Sequence, residues 1–365
     1  MIERIYLDNI RSFVNFEWRP GPMAVILGTN GSGKTALFSI LAGVQRLLMG
    51  EVSSEKAFPP DSLTRWDTRP EQTVEIDLRT PQGLCKYRLV VEHDARAPGK
   101  NRIKEESVQL DGRMLIQLRL NELQLYRDDG SEGPRVGANW ARSGVGAVSP
   151  SADATRLAAF KQGVGRLWLL RPDARRMAAR IEGDSQWLEE NLENFADWYL
   201  RALTEQPGTV FKALREVGNA LPGLEELHEK GGWLFARFEQ EGQSQSFRFD
   251  ELSDGQRALV ALYILRHVVA VPGRLLAIDE PDNYVALAEI QPWLLQVERA
   301  AMKPGGPQVW LISHHPEVLN LLAVDHGWRF FRDGLGPSRV ERFQPRSGLD
   351  AAETVARGWE GEPNG

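Results

Sequence analysis

The sequence predicts an α/β fold in which a β-rich first part precedes a part that alternates strands and helices. Two short apolar runs, residues 23–27 and 275–278, are each followed by a segment with helical periodicity. Between residues 74 and 126, alternating runs are separated by turn residues such as Pro81-Gln82-Gly83, which indicates hairpins. A third apolar strand is predicted at residues 309–312.

The composition limits the classes of protein to which the chain can belong. With 365 residues, 42% hydrophobic and 26% charged, it can bury a substantial core in two lobes. The net charge of −6 excludes a chain-wide basic field, so any nucleic-acid contact must be local. The single Cys85 excludes an intramolecular disulfide and fits a reducing compartment. Because no leader or membrane-length apolar run is visible, we expect a cytoplasmic protein without membrane contact.

Changes from strand-like to helical sequence patterns along the chain predict its domain organisation. We expect an N-terminal lobe at residues 1–150, a mainly helical insert at 151–244, a C-terminal lobe at 245–345 and a tail at 346–365. Within the insert, apolar residues at steps of three and four predict one amphipathic helix that carries Leu188, Leu192, Phe195, Tyr199 and Leu203.

The most specific motif is the G-x-x-x-x-G-K-T at residues 28–35, which lies between a predicted strand and a predicted helix. Its glycines let the backbone wrap a phosphate, and the helix N-terminus adds a positive dipole end. Lys34 is expected to reach the β- and γ-phosphates of ATP, and the Thr35 hydroxyl to bind Mg²⁺. A glycine-rich turn without a ligand is the alternative interpretation.

A second candidate site is the strand at residues 275–278, which ends in Asp279 and Glu280. In a phosphate-loop protein, the first of these acids holds Mg²⁺ through water, and the second accepts a proton from the attacking water. We therefore predict a metal-binding role for Asp279 and a catalytic role for Glu280. The alternative is a solvated strand end.

Two more segments have an ordinary structural explanation when each is taken alone. In Leu252-Ser253-Asp254-Gly255-Gln256, Ser253 is typical of a helix N-cap and Asp254 of a first-turn acid. In Ser313-His314-His315-Pro316, a histidine pair after a strand is more often structural than functional.

Taken together, these motifs resemble those of RecF/SMC/Rad50-type ABC ATPases, within the AAA-labelled group that includes OLD-family ATPases. Residues 252–256 are similar to the LSGGQ signature, with Asp254 in place of the first signature glycine, and residues 313–315 to the switch-histidine segment. Residues 7–13 are similar to the "NFRSF" element of RecF and Rad50 relatives, whose Arg and Ser lie over the nucleotide phosphates. The resemblance implies a P-loop NTPase fold of the ABC-ATPase type, with a β-rich lobe I and an α/β lobe II that carries a helical insert.

The resemblance also implies the site residues of an ATPase. Glu280 and His314 would be catalytic, and Thr35 and Asp279 would bind Mg²⁺. The nucleotide-binding set would be Arg11, Ser12, Asn30, Gly31, Ser32, Gly33, Lys34, Thr35, Ser253 and Gly255. Because the signature Ser of one subunit completes the nucleotide site of another in this superfamily, a homodimer or higher oligomer around Mg-ATP is implied. This chain departs from many relatives in lacking a histidine after Asp282-Asn283, and no glutamine has a clear Q-loop context; Gln162 is a weak candidate.

The predicted function is an ATP-hydrolysing switch that controls a separate effector protein, such as a nuclease or toxin, or a nucleic-acid transaction, in anti-phage defence or DNA repair. DNA and RNA are possible ligands, because arginine suits contacts to phosphate groups. Five arginines fall in a predicted helical stretch: Arg166, Arg171, Arg175, Arg176 and Arg180. A solvated helix face explains these arginines as well. The alternative function is an ABC ATPase subunit of a transporter or scaffold that does not contact nucleic acid, and a self-sufficient toxin is a third. In the region between Thr35 and Ser253, here called the insert region, five tryptophans are candidates for a partner surface: Trp140, Trp168, Trp187, Trp198 and Trp233.

Overall fold

The computed structural model describes residues 1–149 and 153–358, so the predicted insert boundary at 150/151 and the end of the predicted tail lie outside the described residues. The chain forms two compact units. Unit 1 comprises Met1–Gly21, Ile26–Leu167 and Trp328–Phe343, and unit 2 comprises Pro22–Val25, Trp168–Gly327 and the chain from Gln344 onward. Each unit thus combines segments that are distant in the sequence.

The elements of the described chain are mixed α and β, as the sequence predicts. The strands are β1 (Ile2–Asp8), β2 (Phe16–Trp18), β3 (Met23–Leu27), β4 (Glu71–Thr80), β5 (Gly83–His93), β6 (Asn101–Leu110), β7 (Arg113–Arg119), β8 (Glu122–Tyr126), β9 (Glu132–Gly137), β10 (Leu167–Leu170), β11 (Leu224–Lys230), β12 (Trp233–Gln240), β13 (Gln243–Arg248), β14 (Leu275–Asp279), β15 (Gln308–Ile312), β16 (Gly327–Arg332) and β17 (Ser338–Arg342).

The helices vary more in length than the strands. They are α1 (Lys34–Leu48), α2 (Ser54–Ala57), α3 (Gly144–Ala147), α4 (Thr155–Val164), α5 (Phe195–Glu205), α6 (Pro207–Val217), α7 (Asp254–Val268), α8 (Leu287–Ala301), α9 (Pro316–Val318), α10 (Val324–His326) and α11 (Ala351–Ala356). Within the described residues, no helix is both long and apolar enough to cross a membrane.

Unit 1 is built on an antiparallel sheet with the order β2-β1-β4-β5-β6-β7-β8-β9. The predicted hairpin around Pro81 is confirmed, because β4 and β5 pair in register from Glu71↔Glu92 to Thr80↔Gly83. Buried and more exposed residues alternate along much of these strands, which is why the sequence shows alternating apolar and polar residues there. Helix α1 belongs to the same unit and buries an apolar face that includes Leu37, Leu41 and Val44.

Unit 2 contains strands in the order β10-β14-β15-β3, of which β3 contributes its first residues, and a three-stranded sheet, β11-β12-β13. Strands β14 and β15 run parallel and are buried along their whole length, as expected for the centre of an α/β sheet. Their register pairs Asp279 with Ile312, so the segments after both strands leave the sheet at the same edge.

The predicted amphipathic helix from Leu188 to Leu203 is wrong in its first half. Helix α5 begins only at Phe195, and Leu192 adopts a left-handed conformation with φ of 62° that a helix cannot contain. Leu188 and Leu192 are nevertheless buried, because the preceding loop packs them into the core. A loop that buries residues at steps of three and four therefore mimics the helical pattern.

Candidate functional site

The phosphate-loop motif of unit 1 forms a tight turn between β3 and α1. Gly28 has a φ of 137°, and a Cβ there would lie 1.9 Å from the Phe330 carbonyl oxygen, so only glycine fits. Gly31 and Asn30 are exposed at the tip of the turn. Gly33, with a φ of 108°, is the N-cap of α1. Since glycine has no side chain, this helix N-terminus has no side-chain cap.

Lys34 is folded back onto the loop. It is buried, and its ammonium group donates hydrogen bonds to the carbonyl oxygens of Gly28, at 2.7 Å, and Thr29, at 3.0 Å. Thr35, one residue on, is half-buried in the first turn of α1. The ammonium group thus lies inside the curve of the loop, where it holds two carbonyl oxygens in place.

Ser32 is the clearest sign that the loop is built for a ligand. Its side chain is buried, and its hydroxyl oxygen has no hydrogen-bond partner among the described residues. A buried hydroxyl without a partner carries an appreciable desolvation cost. The backbone N–H groups of an uncapped helix N-terminus and an unpaired hydroxyl can all donate hydrogen bonds to the oxygens of a phosphate group.

Arg11 and Ser12 lie in a turn beside this loop, within unit 1. Arg11 is exposed and has a φ of 53°, and its backbone N–H donates to the Ser62 carbonyl oxygen at 2.6 Å. The Ser12 hydroxyl lies 2.7 Å from the Ser338 hydroxyl. A Cβ on Gly33 would lie 2.9 Å from the Ser338 oxygen, so the serine pair is adjacent to the loop.

A further pair of side chains near the loop has no motif that would reveal it in the sequence. The Arg332 guanidinium lies 5.4 Å from the centre of the Trp66 ring, and its Nη1 lies 3.5 Å from the Gly31 carbonyl oxygen. Two other carbonyl oxygens, of Leu335 and Gly336, also accept from Arg332. Trp66 is 48% exposed, so a large aromatic face lies open near the tip of the loop.

In unit 2, the predicted acidic pair lies where β14 ends. Asp279 is the last residue of the strand and is buried, whereas Glu280 is half-buried. Glu280 has a φ of 55°, which a non-glycine residue adopts at a cost of about 1–3 kcal/mol. Its N–H donates to the Ile312 carbonyl oxygen at 2.8 Å, and the Asn283 amide donates to its Oε2 at 2.8 Å. The Glu280 carboxylate is therefore held in one orientation.

Asp282 lies between this acid and the segment after β15. Burial raises the pKa of its carboxyl group, while a hydrogen bond from Ser313 and the charge of His315 oppose that rise. One carboxyl oxygen of Asp282 is buried without a hydrogen-bond partner among the described residues. His314 is exposed at the same edge of the sheet. His315 differs from it in having a structural role, because its Nδ1 accepts from the Glu317 N–H at 3.3 Å.

The signature-like segment of unit 2 caps α7 by itself. The Ser253 hydroxyl accepts from the Gln256 N–H at 3.3 Å, and the Gln256 side chain accepts from the Ser253 N–H at 3.0 Å. This reciprocal pair is a capping box, which the residue types alone predict. A Cβ on the next glycine, Gly255, would lie 2.6 Å from the Tyr284 carbonyl oxygen. The serine is exposed, so its hydroxyl faces solvent while it caps the helix.

The arginines predicted to share a helical stretch do not lie on a helix. Arg171, Arg175, Arg176 and Arg180 fall in the loop after β10, and Arg166 precedes that strand. Arg176 pairs with Glu193 at 2.6 Å, and Arg180 lies over the Trp233 ring. Because several of these guanidinium groups face different protein partners, they do not form the single basic face that the helix prediction implied.

Comparisons with known proteins identify related families and a related fold. The family model described as "AAA domain, putative AbiEii toxin, Type IV TA system" matches residues 99–320, and the model described as "ABC transporter" matches residues 12–122. Among solved structures, the chain is similar to the Smc head domain with a coiled coil and joint from Pyrococcus yayanosii. The TM-score is 0.52 at 13% identity, over 98% of this chain and 99% of that one, so the similarity concerns the fold. A comparison with curated proteins found no match.

Proposed function

The chain belongs to the family described as AAA domain, putative AbiEii toxin, Type IV TA system, and on this premise we propose that it dimerises around Mg-ATP. The family matches and the SMC-like head fold make the protein a nucleotide-binding P-loop ATPase of the ABC type. The proposal extends this activity to the roles of individual residues, to the dimer and to a separate effector.

The observation that carries the nucleotide site is the N-terminus of α1. It has no side-chain cap and no acid in its first turn, and it follows a loop with an unpaired buried hydroxyl at Ser32. A phosphate group would satisfy these donors and would interact favourably with the helix dipole. The residues present therefore fit an ATP phosphate chain, with Lys34 moving from the loop carbonyl oxygens to the β- and γ-phosphates.

The remaining roles rest on the family resemblance and on residue chemistry. The Thr35 hydroxyl and the Asp279 carboxylate are oxygen ligands of the kind that Mg²⁺ prefers. When bound, Mg²⁺ neutralises charge on the phosphates. Glu280, held by Asn283, orients water and accepts its proton. His314 contacts the γ-phosphate, and Arg11 and Ser12 lie over the phosphates.

The proposed dimer forms because Ser253 and Gly255 of one subunit complete the phosphate site of the other. Within a single chain, the Ser253 hydroxyl already accepts a hydrogen bond from its own helix, but it also carries a donor hydrogen that an anionic oxygen can accept. Exposure of this residue supports a role at a subunit surface.

The test uses the Glu280→Gln protein, in which hydrolysis is blocked and the closed state accumulates. Sedimentation with ATP and Mg²⁺ is expected to show a dimer, and the same protein without ATP a smaller species. Lys34→Ala combined with Glu280→Gln is the matched control and is expected to sediment identically with and without ATP. An unchanged sedimentation coefficient for Glu280→Gln at saturating ATP would contradict the dimer.

We further propose that the closed dimer controls a separate protein effector rather than binding nucleic acid. The dispersal of the arginines among protein partners supports this choice. Of the insert-region tryptophans, Trp168 and Trp198 pack against each other in the core, whereas Trp140 and Trp187 are exposed and suit a partner surface. Binding of the Glu280→Gln protein to duplex DNA at low salt, dependent on ATP and lost at higher salt, would overturn the proposal.

A further inference from the structure

Asp254 in the signature-like segment stands between two arginines of unit 2. Its Oδ1 accepts from Arg257 Nη2 at 2.5 Å, and its Oδ2 lies 3.5 Å from Arg175 Nε. A carboxylate at a helix N-terminus is stabilised by the helix dipole, but it repels an incoming phosphate.

The two arginines are not equivalent. Arg257 is buried, with a side chain only 10% exposed, and its Nη1 donates to the Met177 carbonyl oxygen at 3.3 Å. It lies three residues after Asp254 on the same helix, so the local chain fixes the pair. Arg257 is therefore the buried partner of the carboxylate, fixed by the helix itself.

Arg175 is held in place yet open to solvent. Its side chain is 73% exposed, and its guanidinium carbon lies 5.4 Å from the centre of the Tyr284 ring. The Tyr284 hydroxyl in turn donates to Asp173 at 3.2 Å, and the Asp173 carboxylate accepts from the backbone N–H of Arg175 at 3.1 Å. Within the described chain, neither terminal nitrogen of Arg175 has a protein acceptor. The guanidinium thus presents its unused donors beside the signature.

We propose that Arg175 of one subunit binds the γ-phosphate of the ATP held by the phosphate loop of the other subunit. This inference rests on the proposed dimer and adds a residue to its composite site. The planar guanidinium matches a phosphate with two parallel N–H donors, and its charge offsets the carboxylate that replaces a signature glycine. A positive group at this place stabilises the charge that develops during phosphoryl transfer.

The first experiment measures steady-state ATPase activity of Arg175→Ala, with Arg176→Ala as the matched control. Arg176 is the next residue, is also exposed, and pairs with Glu193 away from the cluster. Loss of one charge-assisted contact to phosphate is expected to lower kcat about 10- to 100-fold in Arg175→Ala. Arg176→Ala is expected to match the wild type. Wild-type kcat in Arg175→Ala overturns the proposal.

The second experiment separates a contact made in the partner's site from a structural role within one chain. Arg175→Ala, expected to keep about 1–10% of wild-type kcat, is mixed with Lys34→Ala, which is expected not to turn over. A mixed dimer contains one intact composite site, so an equal mixture is expected to regain about a quarter of wild-type activity. A parallel mixture of Lys34→Ala with Ser253→Arg tests the dimer itself.

The two mixtures distinguish the failure of each idea. If the Ser253→Arg mixture regains activity and the Arg175→Ala mixture does not, Arg175 acts within its own chain and the inference is wrong. If neither mixture regains activity, the composite site of the proposed function is wrong as well. Recovery in both supports both.

Asp254→Asn provides a readout that a purely structural role would not produce. The amide keeps a hydrogen-bond acceptor for Arg257 but releases Arg175 from the carboxylate. If Arg175 binds phosphate, KM for ATP is expected to fall about 2- to 5-fold, because the repelling charge is gone. If the ion pair with Asp254 is all that Arg175 provides, Asp254→Asn loses activity as Arg175→Ala does, and the inference is overturned.

Discussion

Two helix N-termini, one in each unit, differ in how their first N–H groups are satisfied. Both α1 and α7 are 15 residues long and follow a loop that the family resemblance assigns to ATP phosphates. Helix α1 follows Gly33 and has neither a side-chain cap nor an acid in its first turn. Helix α7 follows Ser253, which caps it in a capping box, and begins with Asp254.

The difference between the two helix N-termini suggests that the two units have different functions. The α1 terminus is open, so the phosphate loop can bind an anion with a single chain. The α7 terminus is capped by its own serine and carries a carboxylate, so in the proposed dimer it meets a phosphate only when the other subunit brings one. We therefore expect changes in unit 1 to affect the affinity for ATP, and changes in unit 2 to affect hydrolysis and assembly.

Glu280→Gln is expected to have the largest effect on rate and to leave affinity intact. Removal of the general base typically costs about 10²- to 10⁴-fold in rate. Single-turnover hydrolysis and equilibrium ATP binding measure the two quantities separately. Glu317→Gln, in the first turn of α9, is the control. A large change in ATP affinity in Glu280→Gln would break the division between the units.

Lys34→Ala is expected to weaken ATP binding about 100-fold, because one charge-assisted contact to phosphate is worth about 1.5–3 kcal/mol. Lys161→Ala is a matched control in the same unit, since Lys161 also donates to two carbonyl oxygens, of Gly146 and Val148, at 3.1 Å. Both variants lose two such hydrogen bonds, but only Lys34→Ala is expected to lose ATP in calorimetry. Equal ATP affinity in the two variants would rule out the phosphate role of Lys34.

Gly255→Ala is expected to destabilise unit 2 by about 1–3 kcal/mol, because its Cβ would press against the Tyr284 carbonyl oxygen. Gly31→Ala provides a comparison in unit 1, where a Cβ meets no atom within 4 Å but the φ of 80° adds about 1–2 kcal/mol of strain. Chemical denaturation measures both. A Gly255→Ala protein as stable as the wild type would show that the backbone at Tyr284 moves to make room.

Ser253→Ala is expected to cost about 1 kcal/mol of unfolding free energy through the lost cap. The same change is expected to reduce ATPase activity at saturating ATP while ATP binding to the monomer is unchanged. Activity equal to the wild type, together with the loss of stability, would reduce Ser253 to a helix cap.

The smallest expected effect is on the pH dependence of stability. Burial lowers the pKa of His267, near the end of α7, although Glu216 at 2.9 Å opposes the shift. Because the folded-state pKa lies below the unfolded value near 6.5, the unfolded chain binds more protons. Stability is then lost as pH falls below about 6.5, by at most about 1.4 kcal/mol per pH unit for this one group. His267→Gln is expected to flatten the slope of unfolding free energy between about pH 7.5 and 5.5, and an unchanged slope would contradict this origin.

Most local elements of the fold follow from sequence patterns. Helix α1 follows the glycine-rich motif as predicted, and the hairpin around Pro81 forms where its turn residues predict it. The failure at Leu188–Leu203 has a physical cause. Periodicity reports burial, and a loop with a left-handed Leu192 can bury the same residues as a helix. The predicted helical stretch with five arginines is wrong for a related reason, because four of these arginines lie in the same loop between β10 and α5.

In the candidate site, the sequence likewise predicts side-chain contacts between near neighbours but not between distant residues. The capping box of Ser253 and Gln256 follows from the residue types, because the two residues are three positions apart. The Trp66 and Arg332 pair beside the phosphate loop carried no signal, because the two residues are distant in the sequence and belong to no motif. Pairwise contacts of this kind depend on how separate segments pack.

The sequence by itself determined where the phosphate-loop glycines, the lysine and the acidic strand end lie, because these residues follow one another at fixed spacing along the local backbone. Only the tertiary structure decided that Asp254 is shared between a buried and an exposed arginine. The ion pair with Arg175 joins residues far apart in the chain, and no local pattern specifies which guanidinium is left open to solvent. Charge compensation at Asp254 therefore depends on how separate segments pack, whereas the proposed phosphate contacts depend on one loop.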